Sequence, residues 1–117
     1  MKKKSKKQAL RKKKEFRYHN VNIMNLDGKT ISIKHPTYVF LEKGNLYFYV
    51  VITHSNHVKD YLVIELRENS NPNDSKKSYW VAEVKEDTKD RFKKKEKDWK
   101  INQDDDNDIR NFYKKNR

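Results

Sequence analysis

Residues 46–53 read Leu46-Tyr47-Phe48-Tyr49-Val50-Val51-Ile52-Thr53, and this stretch decides the fold class. It is rich in aromatic and β-branched residues, which fit a pleated surface. Successive side chains of a strand point to opposite faces, and here both faces are apolar. The stretch therefore predicts a central strand covered on both sides. Just before it, Lys43-Gly44-Asn45 signals a turn, and Tyr38-Val39-Phe40-Leu41 forms a short apolar strand. Together these predict a hairpin. Just after it, His54-Ser55-Asn56-His57 is a polar break, and residues 61–66 supply the next strand. Residues 67–77 hold Asn69, Ser70, Asn71, Pro72, Asn73, Asp74 and Ser75, all turn formers, and predict a loop. Residues 78–84 return to strand.

Further out, residues 18–33 predict another hairpin around Asp27-Gly28, a strong turn signal. Lys34-His35-Pro36 is expected to interrupt it, because proline lacks the N–H that a central ladder needs. Residues 85–100 are charged, with Phe92 and Trp99 as isolated apolar anchors. A loop or short helical turn is expected there, with a brief strand at residues 99–101. Residues 104–115 predict a helix. Asp104, Asp105 and Asp106 open it and Arg110, Lys114 and Lys115 close it, as the macrodipole favours. Ile109, Phe112 and Tyr113 form its apolar stripe. About six strands and one helix predict a mainly β (α+β) fold, a small SH3-like β-barrel or half-barrel with one C-terminal helix.

The charge is unevenly spread. The chain has 117 residues and a formal net charge of +12. Residues 1–17 carry eight lysines and two arginines against Glu15 alone, a net +9, which leaves +3 for residues 18–117. The expected organisation is a disordered basic arm over 1–17 and a single β-rich domain over 18–117. A lysine block of this kind seeks a polyanion, because each neutralised phosphate releases a counterion. Lys2, Lys3, Lys4, Lys6, Lys7, Arg11, Lys12, Lys13, Lys14 and Arg17 are accordingly candidate nucleic-acid contacts. The arm supplies affinity without sequence information. A membrane surface would ask for apolar anchors or a lipidation site, and Met1-Lys2 lacks the myristoylation glycine.

The sequence also excludes several classes. There is no cysteine, which removes disulfides and thiolate zinc sites. No apolar run approaches the roughly 18 residues of a membrane span, and no hydrophobic stretch follows the basic N-terminus. A cytoplasmic protein is expected, with no membrane partner. Only two glycines occur, and no phosphate-cradling glycine loop is among them.

One cluster could carry chemistry. If residues 38–42 and 46–53 pair as a hairpin, the start of one strand lies beside the end of the other. His35 then approaches Thr53, His54 and Ser55 at one rim of the sheet. A histidine could move a proton to or from a ribose 2′-OH, with Thr53 and Ser55 holding the phosphate. Lys34 or Arg67 could stabilise the extra charge of the phosphorane. The same residues read equally as ordinary polar side chains at strand ends. Tyr79 and Trp80 point to opposite faces of one strand, so one should be exposed, and Tyr79 is the candidate for stacking on an unpaired base. His54-x-x-His57 lacks the further ligands a metal site needs, so no metal and no cofactor is expected.

The segments His35-Pro36-Thr37-Tyr38-Val39-Phe40 and Val50-Val51-Ile52-Thr53-His54-Ser55 resemble the MazF/PemK family of toxin endoribonucleases. The first resembles its basic-residue–Pro strand opening, and the second its apolar strand ending in Thr and Ser. The resemblance covers residues 35–112, including residues 61–66 and 78–84 and the segment from Asp87 to Phe92. It implies an SH3-like barrel, often a homodimer, that cleaves single-stranded RNA without a metal and is held by an antitoxin partner. It carries over to His35 and Thr53 only. His35 stands where the family usually has Arg, and the family's opening Gly-Asp segment is missing from residues 18–26. The functional expectation is a nucleic-acid-acting protein, RNA favoured, of the metal-independent toxin endoribonuclease type. The alternative is a non-enzymatic nucleic-acid-binding module from a phage or mobile element.

Overall fold

The computed structural model describes residues 9–24 and 27–116. Among these residues, seven strands form one antiparallel sheet: β1 (Arg11–Met24), β2 (Thr30–Lys43), β3 (Leu46–Thr53), β4 (Val63–Glu65), β5 (Tyr79–Val81), β6 (Lys85–Thr88) and β7 (Phe92–Lys95). A 3₁₀ turn, Lys89–Arg91, joins β6 to β7, and one helix, α1 (Gln103–Asn116), closes the chain. The spatial order is β4-β5-β3-β2-β1-β7, with β6 also paired to β3.

β3 is central, as its composition predicts. It pairs with β2 along one side and, along the other, with β6 at Leu46–Tyr49 and β5 at Ile52–Thr53. Both of its faces are covered. Val50 and Ile52 join Phe16, Tyr38, Phe40, Leu41, Leu66, Trp80 and Ile109 in the main core under α1. Tyr47 and Tyr49 join Val39 and Phe92 in a second cluster on the opposite face. The β2–β3 turn is Gly44-Asn45, with Lys43 paired to Leu46 and Gly44 at φ +57°. That left-handed backbone is why glycine stands there.

The sheet is open, since no ladder joins its end strands, β4 and β7. β6 and β7 follow one another around the second cluster, but only the Lys89–Arg91 turn connects them. A barrel closed by strand pairing is therefore not formed.

Four expectations need correction. Residues 85–100 are not only a loop or helical turn: they hold β6 and β7, which pair with β3 and β1, on either side of the Lys89–Arg91 turn. Residues 11–17 are not a disordered arm. They are the first half of β1, paired from Arg11↔Glu42 to Arg17↔Thr37. Their charges are laid out with strand periodicity: Phe16 enters the core while Lys13, Glu15 and Arg17 form ion pairs with one another and with Glu42. Lys2, Lys3, Lys4, Lys6 and Lys7 lie outside the described residues. Lys34-His35-Pro36 does not interrupt the sheet either, because β2 runs continuously from residue 30 to 43. Pro36 faces Tyr18 of β1, and the β3 register reaches only Thr37↔Val51, so the missing N–H falls where one flank is already free. Finally, residues 99–101 form no strand. Lys100 instead donates its N–H to the Ser70 carbonyl at 3.1 Å.

α1 is anchored by charge as well as by its stripe. Asn102 caps it, its Oδ1 accepting the Asp104 N–H at 2.9 Å. Asp105 and Asp106 are both buried. Asp106 accepts the Tyr38 hydroxyl at 2.6 Å and pairs with Arg110 Nε at 2.9 Å. Arg110 also donates to the carbonyls of Phe40 (2.7 Å) and Lys13 (2.6 Å). Both carbonyls sit inside bulges, one in β2 between Val39 and Leu41 and one in β1 between Lys12 and Glu15. A bulge leaves backbone groups without ladder partners. One guanidinium satisfies both.

Candidate functional site

A cavity of about 230 Å³ opens at the rim where β1, β2 and β3 end their common pairing. Tyr18, His35 and Pro36 come from β1 and β2, and Thr53 and His54 from the end of β3. The 67–77 loop contributes Asn69, Ser70, Asn71 and Asp74, and Trp99 closes the wall. Tyr18 and Trp99 meet edge to face at 6.0 Å, and Trp99 continues to Phe16 at 5.6 Å, so this aromatic wall is rooted in the core.

The loop is built from its own side chains. Asn69 Nδ2 donates to the carbonyls of Asp74 (3.0 Å) and Lys76 (2.6 Å). Asn69 Oδ1 accepts the Asn71 N–H at 3.0 Å, and Asn71 Oδ1 accepts the Asn73 N–H at 2.9 Å. These successive Asx turns explain why a run of Asn and Asp folds here without regular structure. Asp74 is held below the usual carboxylate range, first by the Lys76 N–H, against the opposing effect of desolvation. His54 ties the loop to β3: Nε2 lies 2.8 Å from Asp74 Oδ2, and Nδ1 lies 3.0 Å from the Lys77 carbonyl.

The cavity continues onto a basic shelf. A shallower hollow shares Tyr18 and Lys34 with it and adds Lys93, Lys94 and Glu96. Lys34, Lys93 and Lys94 are exposed, and none enters a salt bridge among the described residues. Glu96 is the one acidic side chain on the shelf.

Of the sequence-predicted site residues, the structure brings Lys34, His35, Thr53 and His54 to one cavity. Their roles differ. His54 has an acceptor at each ring nitrogen, so neither is open to a substrate. His35 is half-buried, and its only ring partner among the described residues is the Pro36 carbonyl, 3.4 Å from Nδ1. Thr53 Oγ1 accepts the Ser55 N–H at 3.1 Å, which leaves its own proton to donate. Ser55 lies outside the cavity, its hydroxyl donating to the His57 carbonyl at 2.7 Å.

Arg67 is placed elsewhere. Its guanidinium contacts Asp105 and Asp108 at 2.8 Å each, at the start of α1. It cannot stabilise charge in the cavity from there. Tyr79 is half-buried in β5, pairs with Thr53 and Glu65, and does not line the cavity. Its neighbour Trp80 is buried in the core. Within the described arm, Lys13 and Arg17 are engaged in ion pairs, and Lys14 donates to Gln103 at 2.9 Å. Arg11 and Lys12 remain exposed. Among the described residues, no group of three or more His, Cys, Asp or Glu side chains is placed to hold a metal. No helix among the described residues is long and apolar enough to cross a membrane.

Sequence reasoning missed Tyr18, Ser70, Asn71, Lys93 and Lys94. The loop residues read only as turn formers, and the lysines only as solvated charge. Comparison with known proteins finds no matching family model, no significant match among curated proteins and none among solved structures.

Proposed function

We propose that the protein binds single-stranded nucleic acid, RNA in preference, at the cavity and its lysine shelf. One observation carries this reading: an aromatic-walled cavity opens directly onto three lysines that enter no salt bridge among the described residues, the two hollows sharing Tyr18 and Lys34. Unpaired bases seek aromatic faces, and the adjoining phosphates seek cations. The cavity is too small for more than one base, so the remaining nucleotides would track the shelf. The lysines of the N-terminal arm add phosphate contacts of no sequence preference.

The test is fluorescence anisotropy with a short single-stranded RNA across a salt series. Each phosphate contact contributes about 0.7 to the log–log salt slope for a single strand. The triple replacement Lys34→Gln, Lys93→Gln, Lys94→Gln should therefore weaken binding and flatten the slope by about 2. An unchanged slope would remove the shelf from the interface.

A second reading, a metal-independent endoribonuclease of toxin type, is favoured by His35. It lines the cavity beside Thr53 and Lys34, and its Nε2 has no partner among the described residues. There it would take the 2′-OH proton, with Lys34 supporting the phosphorane. An antitoxin would then act by covering the cavity mouth. Incubation with RNA in chelator tests it. Cleavage that is lost in His35→Ala supports the reading, and cleavage that survives this change refutes the assignment.

A further inference from the structure

We infer that the protein pairs with a second copy of itself across the free edge of β4, with Ile64 on the two-fold axis. The contact is independent of the nucleic-acid site, whose cavity contains no β4 residue.

The sheet ends in β4 on one side and in β7 on the other. An end strand exposes backbone N–H and C=O groups that can recruit a further strand, and charged side chains are a common protection. β7 has that protection, since Lys93, Lys94 and Lys95 are all exposed. β4 does not. It reads Val63-Ile64-Glu65 and follows Tyr61 and Leu62, which are 44% and 69% exposed, two of the three large exposed apolar side chains among the described residues. Alternation fixes which backbone groups are free. Leu62 accepts the Ala82 N–H at 2.8 Å and Leu66 donates to the Ser78 carbonyl at 2.8 Å, so residues 62, 64 and 66 bond toward β5. Val63 and Glu65 therefore point their N–H and C=O away from the sheet, where they meet no backbone partner among the described residues.

Self-pairing of this edge has few registers. Hydrogen-bonded and non-hydrogen-bonded pairs alternate along an antiparallel ladder, so a two-fold axis must set one residue opposite its own copy. Centring on Val63 sets Glu65 opposite Tyr61, whose N–H is already given to the Val58 carbonyl at 3.2 Å. Centring on Glu65 opposes like charges and sets Val63 opposite Arg67, whose N–H is given to Asp105. Centring on Ile64 sets Val63 opposite Glu65 on both sides of the axis, each pair exchanging both of its hydrogen bonds. Ile64 then meets its own copy, and the exposed Leu62 lies opposite Leu66, an apolar row on the face that carries the main core.

The helix above this edge is self-complementary in charge. A hollow of about 280 Å³ lies between Ile64, Trp80 and the flank Asp108, Asn111, Phe112 and Lys115 of α1. A two-fold axis normal to the sheet runs α1 antiparallel to its copy. With Asn111 and Phe112 beside the axial Ile64, Asp108 of one copy faces Lys115 of the other. Lys115 is exposed and enters no salt bridge among the described residues, and the Asp108 side chain is 44% exposed beside Arg67. Opposite charges at the two ends of one flank are matched by the same flank reversed, which a second copy supplies.

Sedimentation equilibrium of the full chain, freed of nucleic acid, over a dilution series tests the pairing, with amide exchange followed residue by residue by NMR. A short ladder with one helix flank is at the small end of interface sizes, so the dimer should dissociate on dilution. The mean mass should rise from that of the monomer towards twice that value as concentration rises. Over the same range the Val63 and Glu65 amides should slow by about tenfold or more, while Ile64 and Leu66, already bonded to β5, change less. Leu62→Lys alters an exposed side chain and spares the fold, and it should raise the dissociation constant by about tenfold or more, as lysine does at a protected edge. Val63→Pro removes a free N–H and should abolish the dimer. Lys115→Glu should weaken it, and more so at low salt. A monomer at every concentration overturns the inference. So does a dimer whose Val63 and Glu65 amides exchange as fast as in the monomer, or one that Leu62→Lys leaves unchanged.

Discussion

Replacing Arg110 by Met removes one guanidinium and leaves three acceptors behind. Asp106 is 1% exposed and would keep only the Tyr38 hydroxyl. The carbonyls of Phe40 and Lys13, freed from the ladders by their bulges, would lose their donor. Breaking a buried ion pair by removing one partner costs about 3–5 kcal/mol. An orphaned carbonyl costs about 1–3 kcal/mol, at the low end where water can reach it. The terms overlap because local relaxation admits water to all three groups, so the expected loss is about 5 kcal/mol rather than their sum. Against a total of about 5–15 kcal/mol, that takes the chain to the edge of unfolding. Urea titration followed by tryptophan fluorescence measures it. Arg110→Lys gives an intermediate case, since an ammonium lacks the planar fork that spans three acceptors. Adding Asp106→Asn to Arg110→Met closes a double-mutant cycle, with an expected coupling above about 2 kcal/mol. A loss below about 1.5 kcal/mol for Arg110→Met, or strict additivity in the cycle, would refute this account of how α1 is fastened.

Other outcomes follow from the same contacts. Asn102→Ala removes the cap of α1 and should cost about 1 kcal/mol, read as a lower urea midpoint at unchanged slope. Acid should destabilise the fold through Glu42 and Glu15. Hydrogen bonds from Lys89 and Lys13 hold Glu42 below its ordinary value, and at Glu15 burial opposes a shift that Lys13 and Arg17 carry downward. Carboxylates depressed in the folded state stabilise it above their unfolded pKa, and that contribution is lost as pH falls through the folded value. The urea midpoint should thus hold steady above about pH 5 and drop below about pH 4, and a flat profile down to pH 3 would contradict it. His54→Ala should speed amide exchange across residues 69–77 while leaving β2 and β3 protected, since its contacts are to Asp74, Lys77 and Ser78 at the loop and its C-terminal end; uniform exchange rates in wild type and variant would show that the loop does not depend on it.

The parts of this fold that were legible in sequence are those with a local cause. The apolar run of β3, the Gly44-Asn45 turn and the Ile109-Phe112-Tyr113 stripe each declare themselves within a few residues. The first half of β1 did not, because six charges among residues 11–17 hide a period of two. What makes a strand of them is the partner: Glu42 accepts Lys13 and Lys89, and Arg17 lies 5.2 Å over the Tyr47 ring. Asp105 and Asp106 misled in the opposite direction. They fit the helix dipole, but their burial comes from the Arg67 and Arg110 contacts, which no local pattern announces. At the cavity, the approach of His35 to Thr53 and His54 followed from hairpin geometry alone. The other wall did not, because it depends on where a structureless loop comes to rest.

That loop is also what turns the rim of a sheet into a cavity. β2 and β3 stop pairing at Thr37↔Val51, and beyond that point a sheet edge would lie open. Pro36 occupies the first position past the register, where no further strand can be recruited through its missing N–H. The space is covered by residues 69–78, which are held from two sides. His54 grips the Asp74 end from β3, and the Ser70 carbonyl takes the Lys100 N–H beside Trp99. Neither clamp needs the free groups that line the hollow. Ser70 bonds outward through its backbone, and its hydroxyl is enclosed by protein without a hydrogen-bond partner among the described residues. Here the loop is held by Asn69, His54 and the Ser70 backbone, while Lys34 enters no salt bridge and His35 Nε2 has no partner among the described residues of the same cavity. That difference is why the proposed nucleic-acid contact is placed at this rim.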